Sequence, residues 1–262
     1  MALGHILNAA LKPLGYYIGK TSVPKLTEGW DDIDFGALGL NVILREETFV
    51  DDRILIRGQG EFTILSEDLP KIISPDEQKG KKVLEIGPKT GEHSRWISDN
   101  LEPSKLTFVE LPMRKEEYHF LDGVNCDHEV IYKDIFQSNE LKDEGPFDII
   151  FCLGIFYHTV EQVKLLRYLR NILTADGILV FQTTVLKEPG SFLRLTWQPE
   201  RPGGYLVPNV EALFTLLAMT GWNRIEWFKN YRPLAQALIV TCRKSPVIPK
   251  SYSGFEFGSS SV

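Results

Sequence analysis

The pattern of apolar and polar positions changes near Lys81. After this residue, short apolar runs alternate with stretches whose apolar residues repeat at helical spacing. Two of the runs, FDIIFCLG and GILVFQTTV, are apolar almost throughout, which indicates strands covered on both faces and hence a parallel sheet. The predicted strands are Lys82–Ile86, Leu106–Glu110, Glu129–Tyr132, Phe147–Leu153 and Ile178–Thr184.

Helices are predicted in the intervals between these strands. The clearest is Val160–Leu173, whose apolar residues recur every three or four positions and which Asp176-Gly177 closes. Two strands, Arg224–Phe228 and Ala237–Cys242, are predicted at the end. The succession is typical of an α/β fold with a doubly wound, mostly parallel, seven-stranded sheet. The other predicted helices are Gly91–Leu101 and Asn209–Met219.

The residues before Lys81 are patterned less regularly. A helix is predicted over Leu3–Leu14, strands over Leu40–Leu44 and Arg53–Arg57, and a further helix over Thr63–Ile73. We therefore expect an N-terminal extension over 1–75 and a main domain over 76–245. A polar tail rich in glycine and serine is expected over 246–262.

Composition narrows the class of protein. Hydrophobic residues make up 43% and charged residues 24%, as in ordinary globular proteins, and no apolar run is long enough to span a bilayer. Three scattered cysteines form no CxxC pair, so neither a disulfide framework nor a zinc site is expected, and a reducing cytoplasm fits best. A net charge of −6 makes nucleic acid an unlikely partner.

A glycine-rich loop follows the first predicted strand. Strand end and loop read EIGPKTG, from Glu85 to Gly91. A glycine directly after a strand lets the backbone approach a ligand closely, and a second glycine opens the next helix at the same crevice. The dinucleotide fingerprint G-x-G-x-x-G is not met, because Lys89 stands at its second glycine. This disfavours a nicotinamide dehydrogenase, and the acidic Glu85 suits a cationic ligand better than a pyrophosphate.

This loop resembles the first motif of the class I S-adenosylmethionine-dependent methyltransferases, in which an acidic residue, any residue and a glycine precede a further glycine. Glu85, Gly87 and Gly91 match the motif, whereas Lys89 replaces the usual middle glycine. The resemblance covers about Lys81–Lys244. It implies S-adenosyl-L-methionine as cofactor, held by these matching residues together with Pro88. A purely structural strand-to-helix turn is the alternative for the two glycines.

Later strand ends match the same family in order. Glu110 ends the second predicted strand, where an acidic residue accepts hydrogen bonds from the ribose hydroxyls. Asp134 follows the third, where the family holds the adenine amino group. The resemblance further implies cofactor contacts from Leu111 and Ile135, and from Leu153 near the methionine amino group. A solvated strand end for Glu110 and a turn cap for Asp134 are the structural alternatives.

The residues after the fourth predicted strand are candidates for the chemistry. Methyl transfer is an in-line displacement, so the protein aligns the nucleophile and removes its proton where needed. His158 is the predicted general base, because an ordinary histidine titrates near neutrality; packing against the next helix is the alternative. The phrase GIFYH also resembles the same strand end in transfer-RNA wobble-uridine carboxymethyltransferases. The glycine-rich loop is not that group's, and that group's cofactor is therefore not expected here.

An aromatic and proline-rich segment, 187–208, is predicted to cover the methyl acceptor and exclude water. Its arginines would receive an acidic group of the acceptor, or else lie solvated at the surface. The predicted acceptor-binding residues are Tyr157, Arg194, Trp197, Arg201 and Tyr205.

We therefore expect a methyltransferase acting on an oxygen, nitrogen or carbon nucleophile of a small molecule, as in secondary metabolism. A transfer-RNA-modifying methyltransferase and a catalytically inactive binding scaffold of the same fold are the alternatives. The N-terminal segment, with Trp30 and Phe35, is expected to pack over the cofactor or acceptor, to form a homodimer contact, or to join the core.

Overall fold

The chain folds into one central sheet of eight strands, and helices pack on both of its faces. The computed structural model describes residues 33–45, 64, 66–115, 119–138, 140–186, 188–196, 205–228 and 237–245. Its strands are β1 (Asn41–Arg45), β2 (Lys82–Ile86), β3 (Lys105–Glu110), β4 (His128–Tyr132), β5 (Phe147–Leu153), β6 (Leu173–Thr184), β7 (Leu193–Thr196), β8 (Tyr205–Pro208), β9 (Trp222–Phe228) and β10 (Ala237–Lys244). Its helices are α1 (Leu69–Ile72), α2 (Pro75–Gln78), α3 (Glu92–Trp96), α4 (Glu140–Glu144), α5 (Gln162–Ile172) and α6 (Val210–Met219).

The sheet has the order β1-β9-β10-β6-β5-β2-β3-β4. Within it, β10 runs antiparallel to both neighbours and all other pairs are parallel. This confirms the predicted doubly wound, mostly parallel class. The strand count is eight because β1, from the N-terminal segment, pairs with β9 from Asn41↔Arg224 to Arg45↔Phe228. That pairing satisfies backbone groups of β9 that would otherwise form an open sheet edge.

Apolar cores lie on both faces of the sheet, as a doubly wound fold requires. One face, called here the α3 face, is built from strand residues together with Leu69, Ile97 and Leu101 of the helical segments. The other, the α5 face, is covered by α5 and α6 through residues such as Leu166 and Leu213. Strand side chains alternate between the two cores, which explains why the strands read as continuous apolar runs.

Predicted and observed elements differ mainly at their ends. β6 begins at Leu173 rather than at Ile178, because Leu173 already pairs with Phe147 before a register shift. The predicted helix over Thr63–Ile73 is reduced to α1 and a preceding 3-10 turn. The predicted helix Leu3–Leu14 and strand Arg53–Arg57 lie outside the described residues.

Cys152 and Cys242 are buried within the core with free thiols, as predicted. Burial raises the pKa of the Cys152 thiol to about 12, which leaves it protonated and unreactive. In the described part of the chain, no group of three histidine, cysteine or acidic side chains is placed to hold a metal ion. No helix among these residues combines the length and the apolar character needed to cross a bilayer.

Candidate cofactor and acceptor site

The loop between β2 and α3 has a left-handed backbone at three positions. Gly87 has φ +66°, Lys89 φ +52° and Gly91 φ +75°. Lys89, which replaces the usual middle glycine of the motif, therefore adopts a conformation that glycine favours, at a cost of about 1–2 kcal/mol. The loop thus keeps a glycine-like path despite the departure in sequence.

Close backbone approach explains the two glycines. A Cβ on Gly91 would lie 2.4 Å from the backbone oxygen of Phe120, and one on Gly87 would lie 2.5 Å from Cδ1 of Ile155. The backbone N–H of Gly91 donates to the carbonyl of the buried Pro88 at 2.9 Å, which closes the turn. The glycines therefore serve the packing of the loop, whatever ligand it also meets.

Glu85 is an almost fully buried carboxyl group. Its residue is 3% exposed, and its Oε2 accepts a hydrogen bond from Oγ of Ser94 at 2.7 Å. Burial raises the pKa of Glu85 to about 7; the Ser94 hydrogen bond opposes this rise, and repulsion from Glu110 adds to it. Ser94 was not among the predicted site residues, although its place in the first turn after the loop could have indicated it.

Glu110 lies at the end of β3, level with the start of the loop. Gly87 donates its N–H to the carbonyl of Val109 at 2.9 Å, and this bond holds the two strand ends together. Oε1 of Glu110 accepts from the N–H of Leu111 at 2.7 Å. Glu110 is 8% exposed, whereas Leu111 is exposed. The ribose contact predicted for Glu110 remains a prediction.

Asp134 caps the short helical turn that follows β4. Its Oδ1 accepts from the N–H of Phe136 at 2.8 Å, which is the structural role given above as its alternative. The neighbouring Ile135 is half-buried and packs against the core of the α5 face. Asp134 and Ile135 follow β4 at the same sheet edge as Glu110, since Glu110 pairs with Tyr132.

The predicted catalytic residue lies on a 3-10 turn directly after β5. Leu153, which ends β5, is buried, and Gly154 donates its N–H to the carbonyl of Gln182 at 3.1 Å. The turn spans Phe156–His158, and the rings of Tyr157 and His158 lie 4.3 Å apart. His158 is exposed, and its role as a general base remains a prediction.

A β-hairpin formed by β7 and β8 lies beside this turn. Nε2 of the buried Gln162 donates to the carbonyl of Phe156 at 3.2 Å and to the carbonyl of Leu206 at 2.6 Å. Gln162 therefore joins the hairpin to the turn that carries His158. The hairpin belongs to the segment predicted to cover the acceptor, and that role remains a prediction.

The predicted acceptor-binding residues are only partly described. Arg194 is exposed on β7 and forms an ion pair with Glu188 at 2.7 Å. Tyr205 begins β8, where it pairs with Thr196. Trp197 and Arg201 lie outside the described residues. The structure therefore places β8 beside the turn that carries Tyr157 and gives Arg194 an ionic partner at the surface.

Gln182 is a buried polar residue that sequence reasoning missed. It is 0% exposed, and among the residues that the structure describes neither its amide oxygen nor its amide nitrogen has a hydrogen-bond partner. Such burial costs roughly 1–3 kcal/mol per polar group on mutational scales. The single amide within the apolar run GILVFQTTV could have drawn attention to it.

A groove lies apart from these residues, on the flank of the sheet formed by β1, β9 and β10. Its volume is about 440 Å³, and its lining includes Arg45, Arg224 and Arg243. Two of these arginines are already engaged: Arg45 pairs with Glu226 at 2.9 Å, and Arg243 donates to the carbonyl of Asp176. None of the predicted site residues lines this groove.

Comparison with known proteins identifies the class. A family model described as a methyltransferase domain matches residues 61–226, and the chain belongs to that family. Family membership confirms the resemblance read from the glycine-rich loop. At the level of the family it also confirms the predicted enzyme class, the S-adenosylmethionine-dependent methyltransferases.

Two relatives carry a more specific name, tRNA U34 carboxymethyltransferase. The protein from Campylobacter curvus is 26% identical over 172 residues, which cover 64% of this chain and 56% of the relative. The protein from Helicobacter pylori is 26% identical over 175 residues, covering 64% and 63%. The chain thus spans less than two thirds of these relatives. Their name does not support the prediction that nucleic acid is an unlikely partner.

Solved structures share the fold at low sequence identity. The N-terminal domain of EvdMO1 with SAH bound has a TM-score of 0.54 at 18% identity and covers 75% of this chain and 90% of its own. The 1,6-didemethyltoxoflavin-N1-methyltransferase of Burkholderia thailandensis, solved with 1,6-didemethyltoxoflavin and S-adenosylhomocysteine, has a TM-score of 0.52 at 18% identity, covering 69% and 76%. At such identities the likeness concerns the fold.

Proposed function

We propose that the protein transfers a methyl group from S-adenosyl-L-methionine. One observation carries the proposal: Glu85, Glu110 and Asp134 lie at or just after the carboxyl ends of three adjacent strands, β2, β3 and β4, beside the left-handed loop. Open α/β sheets bind their ligands at this edge. The family match supports the same cofactor.

In this proposal the cofactor lies along the sheet edge, with its adenine toward β4 and its methionine end toward β5. Asp134 and Ile135 contact the adenine, and Glu110 and Leu111 contact the ribose. The methionine end lies against the loop and Leu153. The buried acid Glu85 suits the positive charge of this end of the cofactor, whose methyl group is carried on a sulfonium.

His158 is proposed to remove a proton from the acceptor. It is exposed on the turn after β5, one strand from Glu85, and Gln162 ties that turn to the hairpin. Tyr157 lies against the imidazole ring and would help to orient it. The hairpin residues Arg194 and Tyr205, and Trp197 and Arg201 between the strands, are proposed to contact the acceptor.

We favour a small-molecule acceptor in the cytoplasm, because the net charge of −6 opposes a polyanionic partner. Transfer RNA is the second candidate. The GIFYH phrase and the relatives named for tRNA U34 favour it. Transfer of labelled methyl groups to a small-molecule extract or to unfractionated transfer RNA separates the two candidates.

Calorimetry with S-adenosylmethionine and S-adenosylhomocysteine tests the cofactor assignment. Glu110→Ala should weaken binding by about 1.5–3 kcal/mol, since hydrogen bonds to a charged group are lost. Glu129→Ala is the matched control, because Glu129 lies on β4 away from this edge and pairs with Lys105. Absence of binding to the unaltered protein at millimolar concentration would reject the proposal.

His158→Ala tests the catalytic role. Turnover should fall by about 10²–10⁴-fold, as expected when a general base is lost, whereas cofactor affinity stays unchanged. His128→Ala is the control, because His128 is exposed at the start of β4. Normal turnover in the His158 variant would remove this residue from the mechanism.

A further inference from the structure

Gln182 occupies the strand next to the proposed cofactor site. It pairs with Leu153 of β5 on one side and with Ile239 of β10 on the other. Leu153 lies one residue beyond the Ile86↔Cys152 pair. Gln182 is therefore level with the residue that ends β5 and with the beginning of the glycine-rich loop.

The side chain of Gln182 shares a face with three of the proposed cofactor residues, Glu85, Glu110 and Leu153. Paired residues on neighbouring strands point to the same side of a sheet, and successive residues alternate. Leu153 and Ile239, the partners of Gln182, belong to the core of the α3 face. Glu110 follows Val109, which belongs to the α5 face, so Glu110 also points to the α3 face.

The strand order then gives Gln182 a place relative to the cofactor. Proposed contacts to adenine, ribose and methionine run in order from β4 through β3 and β2 to Leu153 on β5. β6 is the next strand outward, and its residue Gln182 accepts at its main-chain carbonyl a hydrogen bond from Gly154, which directly follows β5, at 3.1 Å. A group that meets the methyl end of the cofactor from the far side would lie at this strand.

We propose that Gln182 recognises the methyl acceptor, and that the acceptor presents an adjacent N–H and C=O, as in a lactam or imide heterocycle. This inference rests on the function proposed above. A carboxamide offers one acceptor oxygen and a donor NH₂ group, so it pairs with an N–H and a C=O held side by side. Both atoms of Gln182 lack such partners within the described chain.

Full burial of Gln182 has a consequence for binding. At 0% exposure the amide is covered, so an acceptor reaches it only by displacing neighbouring groups. Binding is then an induced fit in which the ligand replaces hydrogen bonds that the amide lost on folding. A residue kept only for packing gains nothing from an amide at this position, since Leu or Met would fill similar space.

The test measures ligand affinity and stability in the same variants. Uridine is the probe because it carries an imide, and 3-methyluridine is its matched control because the imide N–H is blocked. Both are titrated in saturating S-adenosylhomocysteine. Gln182→Leu should bind uridine at least tenfold more weakly, keep its affinity for S-adenosylhomocysteine and unfold at a higher temperature. Gln182→Met, of similar length, is the second variant.

Thr107→Val is the control variant. Its hydroxyl is likewise buried and has no hydrogen-bond partner among the described residues, but it lies on β3. The valine should leave uridine affinity unchanged. The inference would be overturned if the unaltered protein bound uridine and 3-methyluridine equally or bound neither. It would also be overturned if both Gln182 variants kept the uridine affinity of the unaltered protein.

Two further measurements separate the possible failures and sources. If the unaltered protein does not bind S-adenosylhomocysteine, the proposed function itself fails; if it does, only the role of Gln182 is at stake. RNA hairpins with uridine or 3-methyluridine in the loop are then compared with the free nucleosides. If the preference for uridine over 3-methyluridine is much stronger in the RNA hairpins than in the free nucleosides, the imide belongs to an RNA acceptor. If the preference is equal in the two, the imide belongs to a small molecule.

Discussion

The two halves of the carboxyl edge are built differently. The half proposed to hold the cofactor, called the cofactor half, comprises the ends of β2, β3 and β4. The half proposed to hold the acceptor, called the acceptor half, comprises the ends of β5 and β6 with the β7–β8 hairpin. In the cofactor half each acidic side chain accepts a hydrogen bond from within the chain: Glu85 from Ser94, Glu110 from Leu111 and Asp134 from Phe136. In the acceptor half the buried amide of Gln182 has no such partner in the described part of the chain.

This difference indicates two strategies for holding a ligand. The cofactor half fixes its carboxylates before any ligand arrives, which lowers the entropy cost of binding a molecule of constant shape. The proposed acceptor half keeps the buried amide of Gln182, whose two polar atoms have no hydrogen-bond partner among the described residues. In the proposed function, the cofactor side is therefore preorganised, whereas this amide gains its partners when the acceptor binds.

Gly91→Ala, in the cofactor half, should cause the largest loss of stability among these variants. The new Cβ would meet the backbone of Phe120 at 2.4 Å with φ at +75°, so strain and overpacking combine to about 4 kcal/mol of lost stability. Urea unfolding measures this loss. Gly190→Ala in the acceptor half, with φ +103° but no atom nearer than 3.9 Å, should cost about 1 kcal/mol. Equal losses would mean that crowding at Gly91 is unimportant.

Glu85→Gln should stabilise the protein in the absence of ligand. The pKa of Glu85 is raised from 4.5 to about 7 on folding, so the folded state binds more protons than the unfolded state between these values. Stability therefore falls as pH rises through this window. The glutamine removes the penalty, by up to roughly 3 kcal/mol at pH 8 and by nothing attributable to ionisation below pH 4. Unfolding curves across this pH range measure the difference.

The Glu85→Gln variant also tests whether Glu85 affects the pH dependence of S-adenosylmethionine binding. A cationic methionine end favours the ionised carboxylate, so the affinity of the unaltered protein for S-adenosylmethionine should rise with pH toward about 7. The Gln variant should lack that rise. An identical pH profile in both proteins would show that Glu85 does not meet the cofactor's charge.

Asn209→Ala, beside the β7–β8 hairpin, should lower the free energy of unfolding by about 2 kcal/mol. Its Oδ1 accepts from Ala212 at 3.0 Å, capping α6, and from Phe192 at 3.3 Å, while Nδ2 donates to the carbonyl of Glu188. Asp134→Ala removes a single capping bond in the cofactor half and should cost about 1 kcal/mol. Thermal unfolding without ligand compares the two, and a larger loss for Asp134 would contradict this ranking.

The cofactor half was largely predictable from sequence because its determinants are local. Strand β2 was predicted with its observed ends, and Glu85, Glu110 and Gly87 lie at or directly after the ends of their strands. The hydrogen bond from Ser94 and the left-handed backbone of Lys89 were not predictable, since both depend on how the loop closes against other segments.

The acceptor half was harder to predict from the sequence, because contacts between residues far apart in the chain define it. The sequence indicated His158 and a covering segment, but the link through Gln162 joins residues 44 positions apart. The isolation of Gln182 becomes visible only when the surroundings of its strand are known. Pairing of β1 with the far edge of the sheet likewise has no local signal.

The pairing of β1 with β9 can form only after most of the chain has been synthesised. Arg45 and Glu226, which form an ion pair across these strands, are 181 residues apart in sequence. At about 5–20 residues per second, a ribosome needs roughly 10–40 s to supply the partner of β1 after β1 itself has been made. During that interval β1 cannot form its pairing with β9, so this edge of the sheet is completed only late in synthesis.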